Sequence, residues 1–207
     1  MMKTLTRKMQ EQITPHLAVK LLKEGNQRFI NNLKVNRNLL QQVNETTDSQ
    51  HPFAVIISCM DSRTSAELIF DQGLGDIFSI RIAGNVVNED ILGSAEFGCK
   101  VVGAKVILVL GHTGCGAIKG AVDNVELGHL HFITHKIQRC IPTLRNKFPQ
   151  ASDHEICHHV TKENILMGVS DLKSRSSILE EMCYKNEIQI IGALYDLSTG
   201  IVEFFET

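Results

Sequence analysis

The chain has 207 residues, 43% hydrophobic and 21% charged, with a formal net charge of −2 when its nine histidines are counted neutral. That is globular composition with enough length to bury a core, and it has neither the basic excess that holds nucleic acid nor an acidic, solvating run. The longest apolar runs, 53–57 and 106–110, fall far short of the ~20 residues that span a bilayer. The basic start from Met1 to Gln10 leads into no apolar stretch of a secretory signal, so a soluble cytoplasmic protein without membrane or nucleic-acid partners is expected.

Thr14-Pro15 can open a helix, Thr as cap and Pro at the first helical position, and Leu17, Leu21, Leu22, Phe29 and Ile30 recur at near-helical spacing up to Leu33. The polar stretch 36–50 reads as loop and frayed helix. Residues 1–50 are thus expected to be a helical arm and linker, and 51–207 an α/β core, within one domain. Residues 53–57 form an unbroken apolar run that suits a strand buried on both faces. A short helix over 64–70, a strand over 76–81, a helix from Asn88 or Glu89 to Val102 and a strand over 105–110 follow. Gly111-His112-Thr113-Gly114-Cys115-Gly116 reads as a turn that opens another helix. Two or three helices fill 128–185, and strands over 187–194 and 201–205 close the chain. Alternating strands and helices imply a mainly parallel sheet with right-handed crossovers. The last two strands are too close for a crossover, so the final one should pair antiparallel at an edge.

Ligands of an open parallel sheet bind beyond the carboxyl ends of its strands. Cys59 follows the first buried strand; His112 follows the third, with Cys115 three residues later at a helix start. Two thiolates and one imidazole suit zinc, and three protein ligands leave one tetrahedral position open, as in a catalytic site. Glycines 111, 114 and 116 crowd this segment as in a tight turn approaching a bound group. Asp61 could bind the metal or accept a hydrogen bond from a hydroxide on it, and Arg63 could hold that carboxylate off the metal. The residues taken singly also fit buried core cysteines and a loop salt bridge. A non-catalytic zinc protein with Asp61 as permanent fourth ligand, and a thiol enzyme using Cys59 or Cys115, are the other readings; Arg63 speaks against the first, and the absence of a Cys-x-x-Cys pair against the second.

Cys59-Met60-Asp61-Ser62-Arg63, Arg81-Ile82-Ala83-Gly84-Asn85 and Gly111-His112-Thr113-Gly114-Cys115-Gly116, in this order and spacing, resemble the β-carbonic anhydrases, and the similarity runs from about Leu21 to the end, through the segment 192–200. The resemblance implies an α/β fold with an N-terminal helical arm that wraps a partner subunit, in a homodimer or homotetramer. It implies zinc on Cys59, His112 and Cys115. Asp61 and Arg63 would be a catalytic gating dyad, with Asp61 a fourth ligand if the site closes. Gln50 would contact substrate across the dimer interface, and Phe78 and Val86 would line an apolar substrate pocket. The implied reaction is reversible hydration of carbon dioxide to bicarbonate and a proton by zinc-bound hydroxide, with no organic cofactor. Hydrolases of carbon disulfide and carbonyl sulfide share these zinc motifs and are the nearest alternative. One subgroup binds inhibitory bicarbonate with a tryptophan on the first strand; Ile56 stands there and the chain has no Trp, so that regulation is not expected even though Arg81 matches the subgroup's arginine.

Among the later histidines, His131 and His135 are spaced to share a helix face. Neither carboxylate nor cysteine completes a metal site around them, and His129, His131, His135, His154, His158 and His159 are read as solvated or core residues, one of which could shuttle protons. Cys99, Cys140, Cys157 and Cys183 are expected within helices as small buried hydrophobes.

Overall fold

The computed structural model describes residues 4–205, so Met1, Met2 and Lys3 of the basic start, with Glu206 and Thr207, lie outside the described residues. Hydroxyl caps open the arm. Thr6 caps a short helix that the sequence pattern did not announce, α1 (Arg7–Glu11), and Thr14 caps α2 (Pro15–Ile30), which has Pro15 at its first position as expected. In the polar stretch that follows, Asn38 caps α3 (Leu39–Glu45).

The rest of the chain runs β1 (Ala54–Ser58), α4 (Ala66–Ile69), β2 (Ile77–Arg81), α5 (Glu89–Glu96), β3 (Val106–His112), α6 (Gly116–Val122), α7 (His131–Gln138), α8 (Ile141–Lys147), α9 (Asp153–Ser174), α10 (Ser177–Tyr184), β4 (Gln189–Tyr195) and β5 (Val202–Phe204). A single 3₁₀ turn, Ala83–Asn85, follows β2, and α5 ends in a π-helical turn, Phe97–Val101. The sheet order is β2-β1-β3-β4-β5, with the first four strands parallel and β5 antiparallel at the edge. This is the α/β architecture expected.

Two local differences have clear causes. The region after residue 128 holds four α-helices instead of two or three, because Pro142 in the first turn of α8 and the Ser152–Glu155 capping box that opens α9 each start a new helix. Cys140 consequently sits buried in the junction between α7 and α8, outside either helix, while Cys157 and Cys183 are only half-buried. In addition, β3 runs on to His112, paired with Tyr195 of β4, two residues beyond the apolar run that marked it.

Every residue of β1 and β3 is buried, which explains their unbroken apolar sequences. On one face Val55, Ile57, Ile107 and Val109 pack against α5, α9 and α10. On the other, Ala54, Ile56, Leu108 and Leu110 pack against Phe70 and against Ala18 and Leu22 of α2, so the arm is one of the covers of the sheet. It comes very close: a Cβ on Gly25 would lie 1.8 Å from the carbonyl oxygen of Phe70. A buried ionic clasp also ties it down, in which Asp71 accepts from Arg28, Arg37 and the amide of Val35. A third apolar cluster, containing Val86, Ile118, Ile137, Ile141 and Val160, caps the carboxyl ends of β1 and β3. No helix among the described residues is long and apolar enough to cross a membrane.

Candidate metal centre

Parallel neighbours in register deliver their carboxyl ends to one place. Ser58, the last residue of β1, pairs with Leu110 of β3; Cys59 comes next on one strand and His112 two residues later on the other. The chain then turns through Gly114, at φ 64°, and places Cys115 at the cap of α6. A residue with a Cβ is strained in that left-handed conformation, which accounts for this glycine.

All three side chains are buried, and their ligand atoms lie within 4.8 Å of one another; no other such group of His, Cys, Asp and Glu occurs among the described residues. The two sulfurs are 3.9 Å apart, far from disulfide distance. Two thiolates at about 2.3 Å from one tetrahedral zinc would lie roughly 3.8 Å apart, so the spacing fits that ion. His112 Nδ1 bonds the carbonyl of Thr113 at 2.9 Å, while Nε2 is buried without a partner. The carbonyl fixes the proton on Nδ1, leaving the Nε2 lone pair for a cation. The ordinary cost of burying such a nitrogen unpaired would be relieved by a cation bound there.

The electrostatics agree. A hydrogen bond from Cys115 pulls the Cys59 thiol well below its usual pKa, and burial opposes the shift. The same Cys59–Cys115 bond, together with burial, pushes Cys115 up. Two thiols this close hold one proton between them where a cation would neutralise both.

Beside this cluster Arg63 grips Asp61 at three points: its amide and Nε donate to Oδ1 at 2.9 Å each, and Nη2 donates to Oδ2 at 2.7 Å. The side-chain hydrogen bond from Arg63 is the main cause that holds the Asp61 carboxyl far below the usual carboxylate range. Sequence reasoning missed how the loop itself is held. Arg81 Nε and Nη2 donate to the carbonyls of Cys59 and Asp61, and the single hydroxyl proton of Thr64 is shared between the same two carbonyls, each 2.9 Å from Oγ1. Arg81 stands in one of the motifs, but nothing in the sequence tells that its partners are main-chain oxygens.

Val86 is buried in the same apolar cluster as Cys59 and Cys115. The single chain does not bring Gln50 and Phe78 to that place. Phe78, half-buried on β2, pairs in register with Val55 and packs its ring near Phe97, with centroids 6.4 Å apart. Gln50 is exposed ahead of β1, and Cys59 lies beyond the strand's far end, about 17 Å away at ~3.3 Å per residue from Ala54 alone. The late histidines are dispersed: His131 bonds the Gly128 carbonyl at 2.6 Å and meets His135 edge-on, and His159 stacks on Phe148. His154 and His158 line a cavity of about 380 Å³ that reaches Gly114 and Cys115.

Comparison with known proteins gives the site a family. The chain is 36% identical over 200 residues to carbonic anhydrase 2 of Mycobacterium tuberculosis, covering 90% of each. It is 33% identical over 195 residues to a carbonic anhydrase of Mycolicibacterium smegmatis, covering 91% of this chain and 92% of that one. The crystal structure of a β-carbonic anhydrase from Aspergillus fumigatus superposes with a TM-score of 0.75 at 25% identity over 81% of both chains. The carbonic anhydrase family model matches residues 54–202, from the first residue of β1 to the first of β5, and with the shared fold this establishes that the chain belongs to the β-carbonic anhydrase family.

Proposed function

We propose that this protein reversibly hydrates carbon dioxide to bicarbonate and a proton, with zinc held by Cys59, His112 and Cys115. The observation that carries the metal assignment is the buried Cys-His-Cys cluster with its unpartnered Nε2, in a chain of this family. Zinc bound there supplies Lewis acidity and lowers the pKa of a water in its fourth position. Both carboxylate oxygens of Asp61 are engaged by Arg63, which favours a free fourth position over a permanently closed, non-catalytic centre. So held, Asp61 is a charged acceptor that can take a hydrogen bond from the attacking water and orient it. Val86 supplies apolar wall for a substrate without charge or dipole.

Gln50 and Phe78 are assigned to the same pocket from a partner subunit. Two features support a homodimer. Among the described residues strand β2 pairs only with β1, leaving one edge free, and the arm exposes Leu33, Leu39, Leu40 and Val43. All six cysteines are free thiols, which suits a reducing, cytoplasmic setting.

The test is stopped-flow hydration of carbon dioxide by purified protein from neutral to alkaline pH, alongside metal analysis. One zinc per chain and activity that rises with pH, both lost in Cys59→Ala, are expected. Zinc retained in Cys59→Ala would overturn the ligand set, and a zinc-loaded chain inactive at every pH would overturn the reaction.

A further inference from the structure

The ring of His112 is oriented by the carbonyl of the next residue, Thr113, which bonds Nδ1 at 2.9 Å. Gly114 follows in a left-handed conformation, and a glycine adds no stiffness of its own to the peptide that carries this carbonyl. Its direction therefore depends on how Thr113 is held. Thr113 is tied twice to the segment that follows β4. Its N–H donates to the Tyr195 carbonyl at 3.0 Å, one step beyond the last register pair, His112 with Tyr195. Its hydroxyl oxygen accepts from the N–H of Leu197, also at 3.0 Å. The first bond fixes the main chain of Thr113 and the second its side chain. The segment that supplies them is itself braced. Asp196 Oδ1 accepts from the N–H groups of Ser198 and Thr199 and from the Ser198 hydroxyl. The Asp196 N–H donates to the Ile201 carbonyl at 2.9 Å, and the Gly200 N–H to the Asp196 carbonyl at 2.8 Å. The connection from β4 to β5 is thus a closed turn bonded to itself, and the side chain of Leu197 is packed on the sheet cluster that contains Leu110 and Tyr195.

We propose that Thr113 is a positioning residue for the metal centre: its hydroxyl, anchored on the Leu197 N–H, keeps the Thr113 carbonyl on His112 Nδ1 and so keeps Nε2 aimed at the cation. The proposal rests on the zinc ligand set given above. A carbonyl on one ring nitrogen fixes the tautomer and the plane of the imidazole, and with them the direction of the lone pair on the other nitrogen. The hydroxyl of Thr113 is engaged by Leu197 and its carbonyl by His112, so Thr113 acts through the ring and not on the reacting atoms. The two strands that carry the ligands are then steadied from opposite sides of the sheet. The Cys59 loop after β1 is held from β2 by Arg81, and His112 at the end of β3 is held from the end of β4 by Leu197, in the strand order β2-β1-β3-β4.

The test uses the full-length zinc-loaded protein and the variants Thr113→Val, Thr113→Ser and Thr113→Ala. Zinc affinity is measured by chelator competition, and the Nδ1 proton of His112 is followed by NMR of protein carrying isotope-labelled histidine. Thr113→Val keeps the branched shape, removes the acceptor and leaves the Leu197 N–H without its partner. It is expected to weaken zinc binding about 10- to 100-fold. The Nδ1 proton should move upfield and exchange faster with water, because its bond to the carbonyl is loosened. Thr113→Ser keeps the hydroxyl and should stay near the unsubstituted protein in both readings. If Thr113→Val does not fold, Thr113→Ala removes the same acceptor without crowding the Leu197 N–H, and the same losses are expected of it. A folded variant without the hydroxyl that has lower thermal stability but unchanged zinc affinity and an unchanged Nδ1 proton would make Thr113 structural only and overturn the proposal, leaving the ligand set intact. A Thr113→Ser variant as weak as Thr113→Val would overturn it too, by assigning the effect to the methyl group. Failure of the unsubstituted protein to bind zinc would overturn both the proposal and the ligand set.

Discussion

At the scale of single residues, the opposite fates of the two thiols lead to a count of protons. Cys59 is pulled down by the hydrogen bond from Cys115, and Cys115 is pushed up by the same bond and by burial. Near neutral pH the metal-free pair therefore holds one proton, which must leave when a cation binds both sulfurs. Calorimetric titration of the apoprotein with zinc, repeated in buffers of different ionisation enthalpy and on the acid side of the metal-bound water's ionisation, should show about one proton released per zinc. Release of two there would mean that the thiols titrate independently. Affinity should weaken as pH falls, because protons compete for the sulfurs. The dyad gives a second prediction. Arg63→Ala removes the two guanidinium bonds to the Asp61 carboxylate and leaves only the backbone amide, so its pKa should return upward and the carboxylate should be free to turn to the metal. Hydration should fall about 10- to 100-fold with zinc retained, and stopped flow with metal analysis would show it. Unchanged activity would remove Arg63 from the mechanism.

The arm and its attachments decide behaviour at the scale of elements. Replacing a helical glycine by alanine ordinarily gains about 1 kcal/mol. At Gly25 the new Cβ would meet the Phe70 carbonyl at 1.8 Å, backbone against backbone, where overpacking costs about 3 kcal/mol or more. The clash wins, and Gly25→Ala should destabilise by at least ~2 kcal/mol in urea titration. The clasp on Asp71 adds a pH dependence. Burial alone would raise the pKa of this carboxyl, but its bonds from Arg28 and Arg37 outweigh burial and the net shift is downward. A depressed carboxylate stabilises the fold above its ordinary pKa and loses that contribution as pH falls through the depressed value. Arg37→Ala, which removes a nearly buried partner, should therefore cost about 3 kcal/mol near neutral pH, the low end for breaking a buried pair because Arg28 remains. The gap from the unsubstituted chain should narrow in acid; a gap constant with pH would assign the loss to packing.

What the sequence could and could not convey divides along the same line. Strands β1, β3 and β4 were legible because burial on both faces leaves continuous apolar runs, and α2 because its cap and its period agree. The closeness of Cys59 to His112 followed from their place after two buried strands. By contrast, α1 is a single turn and a half whose only signal is Thr6, and the last two residues of β3, Gly111 and His112, carry no strand signature because the site chooses them. The bonds that support the loop, from Arg81 to the Cys59 and Asp61 carbonyls, go to main chain. Main chain has no sequence identity, so no spacing or pairing of residue types announces those contacts.

At the scale of the whole molecule, the distance between Gln50 and Cys59 within one chain sets the question. If both serve one pocket, a second copy must supply the glutamine, and activity must follow the association state. Leu40 offers a clean way to weaken association. It is 72% exposed in the single chain, so a charged substitute costs little in the isolated fold. It also lies in the first turn of α3, where a glutamate is favoured by the helix dipole. Buried against a second copy, the same carboxylate would carry the penalty of an unpaired charge. Leu40→Glu should therefore fold and bind zinc like the unsubstituted chain, yet sediment with the mass of one chain at concentrations where the parent sediments as two or more. Its hydration activity should fall on dilution in step with dissociation. A dissociated variant with full activity would place the whole pocket within one chain and remove Gln50 and Phe78 from it. A parent that sediments as a single chain at any concentration would leave the exposed leucines of the arm to another partner.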